Sequence, residues 1–116
     1  MKTRRTTNAE NATEPQTLLD SLRITKVQRR NSASGAWVRG TIGGHRFDAL
    51  VFPEHAEYAE YELGTSRISK LWLKHIDTQT TVANFDRGWD TRPTTEVAAA
   101  IVDLLAAGLA EHVFGN

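Results

Sequence analysis

The stretch Ala36-Trp-Val-Arg-Gly-Thr-Ile42, Gly43-Gly44, His45-Arg-Phe-Asp-Ala-Leu-Val-Phe52 decides the fold. Two runs rich in β-branched and aromatic residues flank a glycine pair, and tight two-residue turns between antiparallel strands need positive φ. The glycines therefore predict a hairpin, and so short a loop permits one register. On one face Ile42 stands opposite His45, Gly40 opposite Phe47 and Val38 opposite Ala49. Phe47 then covers the gap beside Gly40, an aromatic compensation for a strand glycine. On the other face Thr41 meets Arg46, Arg39 meets Asp48 and Trp37 meets Leu50. An Arg directly across from an Asp supports this register by about 0.2–1 kcal/mol.

Upstream, Ile24-Thr-Lys-Val-Gln28 reads as a first strand and Asn31-Ser-Ala-Ser-Gly35 as the turn after it. Leu18-Leu19 forms a short helical or extended lead-in. Residues 1 to about 16 offer almost nothing to bury and read as a disordered tail before one α+β domain over 17–116. Downstream, Pro53 ends the third strand. A fourth strand over Arg67 to Ile76 places Leu71 and Leu73 on one face and Lys70, Trp72 and Lys74 on the other. Thr81-Val-Ala-Asn-Phe85 is the fifth. Asp86-Arg-Gly-Trp-Asp90 then leaves the sheet, and Pro93-Thr94 opens a helix with Thr94 as N-cap and Glu96 at the positive end of the dipole. Val97, Ile101, Leu105 and Leu109, joined by Ala98, Val102 and Leu104, form a wide apolar stripe. Val38, Phe47, Ala49, Leu71, Leu73 and Phe85 supply the sheet face it needs. The expected fold is α+β: a five-stranded antiparallel meander with one C-terminal helix packed on one face.

Composition narrows function mainly by exclusion. Fourteen basic residues balance fourteen acidic ones in 116, so no bulk field commits the chain to nucleic acid or membrane. With no cysteine there is no disulfide framework, thiolate zinc site or cysteine nucleophile. Thr6 to Thr17 lacks the apolar run of a signal peptide, and Val97 to Leu109 is shorter than the ~20 residues that span a bilayer. A cytoplasmic location, no membrane partner, no metal and no cofactor are expected. His45, His55, His75 and His112 show no i, i+3 or i+4 pairing, and His45 and His75 read as half-exposed strand-end residues. Gly43-Gly44 precedes a strand, not the helix of a phosphate loop. The chain is expected not to be an enzyme.

The charge is unevenly spread: every Lys and Arg precedes Pro93, and the helix and its tail carry only Glu96, Asp103 and Glu111. The uncovered sheet face would show Trp37, Arg39, Arg46, Lys70, Trp72 and Lys74, with Asp48 and Leu50 among them. Tryptophan and arginine dominate binding hot spots, and interleaved with cations they also suit stacked single-stranded bases. Alternatively, cationic stems cover the indoles, or the acidic segment Glu54 to Glu62 folds over them as a short helix or ordered loop. Glu54, Glu57, Glu60 and Glu62 on that segment either mimic phosphate charge toward a partner or form a solvated loop. In Asp86-Arg87-Gly88-Trp89-Asp90 the structural reading has Arg87 held by Asp86 or Asp90, Gly88 giving backbone freedom and Trp89 plugging the corner between sheet and helix.

From about Gly35 to Leu109 the chain resembles a family of short uncharacterised bacterial proteins often carried on plasmids, phages and other mobile elements. The resemblance rests on Trp37 to Ile42, Phe47 to Phe52, Arg67-Ile-Ser-Lys-Leu-Trp72 and Asp86 to Asp90; it departs at Ala59-Glu-Tyr-Glu-Leu63, with Gly64 displaced by two residues. It implies no catalytic residues, only a setting in which small accessory proteins antagonise host defence or regulate element genes. The resulting expectation is a non-catalytic interaction module that binds a protein partner and inhibits a host defence or nuclease complex. The alternative is a nucleic-acid binder using the basic and aromatic sheet face; a pI near 6.9 weighs against it.

Overall fold

In the computed structural model, which describes residues 13–115, the chain runs through α1 (Pro15–Ser21), β1 (Arg23–Arg29), β2 (Ala36–Ile42) and β3 (His45–Val51). A 3-10 turn (Ala59–Tyr61), β4 (Ile68–His75), β5 (Thr80–Asp86), β6 (Trp89–Thr91) and α2 (Glu96–Phe114) follow. The strands form one antiparallel sheet in sequence order. Gly43 and Gly44 take φ of 55° and 76°, and the β2–β3 register is the one the two-residue loop dictates, from Ile42 opposite His45 to Trp37 opposite Leu50. Phe47 is fully buried, and a Cβ on Gly40 would strike the Arg23 carbonyl oxygen and lie 2.8 Å from the Phe47 ring. The glycine lets strand and ring approach this closely.

The apolar faces meet as expected. Ala98, Ile101, Val102, Leu105 and Leu109 of α2 are buried in one cluster with Val38, Phe47, Ala49, Leu71, Leu73 and Phe85. By length and composition α2 also reaches what a membrane span requires. Its apolar stripe, however, is turned to the sheet. At the other end Leu18 of α1 joins the core, and the Ser21 hydroxyl accepts a hydrogen bond from the Gly43 amide at 2.9 Å. Residues 1–12 of the expected tail lie outside the described residues; Pro15 and Gln16, assigned to that tail, instead open α1. Glu14 caps this helix by accepting from the Thr17 amide.

Three further expectations are corrected. The sheet has six strands, not five: Arg87 and Gly88 take φ of 53° and 140°, and these consecutive positive values reverse the chain so that Trp89 returns opposite Phe85. Trp89 packs edge-on against Phe85, with ring centres 5.2 Å apart. The N-cap of α2 is Thr95, whose hydroxyl accepts from the Ala98 amide at 3.0 Å. Thr94 lies one residue too early, its amide still donated to the Val82 carbonyl of β5. His45 is buried, at 3% exposure, because its register partner is the core residue Ile42; His75 is half-buried across from it, with ring centres 4.9 Å apart.

Two outcomes follow for stability. Gly40→Ala should cost about 1–3 kcal/mol in denaturant unfolding, as overpacking does. Burial pushes the His45 pKa down, against the upward pull of its hydrogen bond to the Gly43 carbonyl and with a further downward push from His75. The unfolded chain therefore takes up a proton before the folded one, so this contribution to stability is present above about pH 6.5 and lost as pH falls below it. Melting curves across that range should show the loss in the natural chain and a flatter profile in His45→Gln.

Candidate functional site

Strand registers place the outward residues in rows across the sheet. One row runs Gln28, Trp37, Leu50, Lys70, Asp86; the next Lys26, Arg39, Asp48, Trp72, Asn84; the third Arg23, Thr41, Arg46, Lys74, Thr81. All six expected sheet-face residues, Trp37, Arg39, Arg46, Lys70, Trp72 and Lys74, thus share one surface. Arg23 and Lys26 extend it. Strict alternation from Ile24 would turn Lys26 inward, but a bulge at Thr25 changes the phase of β1 and turns it out.

The tryptophans differ in environment. Arg46 and Lys74 lie over the Trp72 ring, 5.3 and 5.7 Å from its centre, and its indole N–H donates to the Thr81 hydroxyl at 3.1 Å. Cationic stems cover this indole, and the acidic segment does not. Trp37 is 40% exposed. Arg39 and Asp48 pair at 2.7 Å, and Lys70 and Asp86 at 3.4 Å, which leaves Asp48 and Asp86 as the only carboxylates among the face residues named above.

The segment from Pro53 to Leu63 is a loop with a single 3-10 turn, organised by Glu62. Of the four expected partner-facing glutamates, Glu54, Glu57 and Glu60 are exposed, whereas Glu62 is buried at 6% exposure. Its carboxylate accepts from the Ala56 amide at 2.8 Å and the Arg67 amide at 2.7 Å, and lies 3.1 Å from His55 Nδ1. Burial pushes this carboxyl up. The bonds from His55, Arg67 and Ala56, with the His55 charge, outweigh that effect and hold it below the ordinary glutamate value. Arg67 stands at φ 65° and is itself buried, with Nη1 donating to the Pro53 carbonyl at 2.7 Å and Nη2 lying 3.6 Å from Glu111 of α2.

The loop stands off the sheet and leaves a cleft of about 640 Å³, floored by Leu50 and flanked by Phe52, Tyr61 and Lys70. Leu50 is only 4% exposed despite lying on the outward face. Arg67, Ser69 and Lys70 of one motif meet Arg87 of the other here, and the Arg87 amide donates to the Ser69 carbonyl at 2.9 Å. Arg87 pairs loosely with Asp86 at 3.9 Å, while Asp90 is exposed and Trp89 half-buried beside α2. Sequence reading missed this cleft. Its signal was the run of Arg67, Ser69 and Lys70, which straddles a bulge between Leu50 and Val51 that no periodicity announces.

A meander sheet with one face under a helix and the other rich in cations defines a small α+β domain. A family model described as a domain of unknown function, DUF7678, matches residues 36–110, and the chain belongs to that family. The match begins at β2, so α1 and β1 precede it. No curated protein and no solved structure matches the chain.

Glu62→Ala should release the loop, costing about 1.5–3 kcal/mol for hydrogen bonds to a charged group, with faster hydrogen exchange at the Ala56 and Arg67 amides. Because the folded carboxyl titrates below its unfolded value, this stabilisation is present above about pH 4.3 and lost as pH falls through and below it. The natural chain should therefore show its loop amides loosening only in that acid range.

Proposed function

We propose that the protein is a non-catalytic, cytoplasmic interaction module whose open sheet face takes an acidic segment of a protein partner. The observation that carries this reading is the half-exposed Trp37 on an outward sheet face that also displays Arg23, Lys26, Arg39, Arg46, Lys70 and Lys74 against Asp48 and Asp86, in a chain of zero net charge. A large aromatic anchor ringed by polar groups is the usual energetic centre of a protein interface. Base stacking is the weaker alternative, since the Trp72 ring lies beneath Arg46 and Lys74 rather than standing free. The motif resemblance supplies the finer setting: an accessory protein of a mobile element that occupies and inhibits a host defence or nuclease complex. In that setting Glu54, Glu57 and Glu60 add an acidic flank able to oppose a basic channel.

Trp37→Ala combined with Lys26→Ala is the discriminating variant, because both side chains are exposed. Its stability should stay within about 0.5 kcal/mol of the natural chain, as for ordinary surface changes. Affinity capture from a bacterial lysate, with nuclease-treated and untreated arms, should recover a partner in both arms with the natural chain and in neither with the variant. Recovery abolished by nuclease would overturn the protein-partner reading. So would binding that falls with salt at a log–log slope of about −0.7 to −0.9 per phosphate contact.

A further inference from the structure

The cleft under the Glu62-held loop has a chemistry of its own. Cationic residues line it from separate parts of the fold: Arg30 from the β1–β2 connection, Lys70 from β4, Arg87 from the β5–β6 turn, and Arg67 just ahead of β4, with its guanidinium already on the Pro53 carbonyl and Glu111. Only Glu54 and Glu62 oppose them in the lining, and the Glu62 oxygens are occupied by the loop's own donors. Asp86, just outside, pairs with Lys70 at 3.4 Å and with Arg87 at 3.9 Å, so it offsets part of the excess without closing the site. Arg30 is already oriented: Nε and Nη2 donate to the Ser34 carbonyl at 2.9 and 2.7 Å, and its guanidinium lies over the Phe52 ring.

Part of the remaining surface is apolar. Tyr61 is exposed, Phe52 lies beneath the Arg30 guanidinium, and Leu50 lines the sheet side. At about 640 Å³ the cleft falls within the range of small-molecule sites, roughly 300–1,000 Å³. A positive wall facing aromatic surface matches a ligand with a compact anionic end and a planar ring. Guanidinium groups suit phosphate oxygens through paired donors, and lysine suits them as a point charge.

We propose that this cleft binds a small phosphorylated ligand carrying a planar ring, of the mononucleotide class. The phosphate lies toward Lys70 and Arg87, and the ring lies toward Tyr61. This site adjoins the Trp37 surface through Leu50 and Lys70, but neither Trp37 nor Lys26 lines it.

The test is an amide NMR titration of the full chain with the common ribonucleoside monophosphates, using the uncharged nucleosides and inorganic phosphate as controls. At least one monophosphate should saturably shift the Ala56, Ser69 and Arg87 amides, about tenfold more tightly than its nucleoside or inorganic phosphate, a difference of about 1.4 kcal/mol. Arg87→Gln should weaken that binding about tenfold, again about 1.4 kcal/mol, with an unchanged melting temperature. Arg30→Gln is the second variant, on the opposite wall. Trp37→Ala with Lys26→Ala should leave nucleotide binding intact, so failure of the sheet-face reading and failure of this one are told apart. The proposal is overturned if no monophosphate shifts the cleft amides, if inorganic phosphate binds as tightly, or if both arginine variants bind normally.

Discussion

Phe47 lying against the bare backbone of Gly40 is the contact on which the rest of the structure depends. A two-residue turn admits one register, and the ring confirms it sterically: a slip by one residue would expose Phe47 and bury Arg46 and Asp48. Once this pair is set, each added strand inherits its phase, because Leu73 is held opposite Phe47 and Ala83 opposite Leu73. One face is then continuous apolar surface that only α2 is long enough to cover. The other is left to solvent with its cations and tryptophans.

A second constraint works against the regularity of the first. Arg67 sits in the left-handed region, where a bulky residue carries backbone strain of about 1–3 kcal/mol. The surroundings hold it there from every side. Its amide binds Glu62, its carbonyl accepts from the Phe52 amide, and its guanidinium spans the Pro53 carbonyl and Glu111 of α2. Two residues further on, a bulge with Ser69 as the extra residue offsets the β3–β4 ladder between Leu50 and Val51, just before the chain leaves the sheet into the 53–62 segment. Strained backbone, buried charge and cleft are one feature.

What the sequence disclosed divides along these two constraints. The hairpin, its register, the apolar stripe of α2 and the membership of the outward face follow from periodicity and a glycine pair. The remainder depends on departures from periodicity. The bulge at Thr25 hid Lys26 from the face, and the Arg87-Gly88 reversal turned an expected exit into β6. Glu62 looked like its exposed neighbours Glu54, Glu57 and Glu60, because nothing local distinguishes a carboxylate that will be claimed by an amide five residues on. Such pairings are tertiary, and residue type alone does not announce them.

Zero net charge conceals a strongly polarised molecule. α2 carries Glu96, Asp103 and Glu111 and no Lys or Arg, while the opposite face displays Arg23, Lys26, Arg39, Arg46, Lys70 and Lys74. Segregation of this kind orients an approaching charged partner even where the net field vanishes, because steering depends on the local potential. Within a Debye length of about 8 Å at physiological salt, an anionic group near the outward face meets Arg23, Lys26, Arg46 and Lys74, whereas Glu111 on α2 is already offset by Arg67. Helix packing therefore does two things at once. It buries the apolar face that folds the chain, and it places the acidic residues on the side where they cannot cancel the basic one.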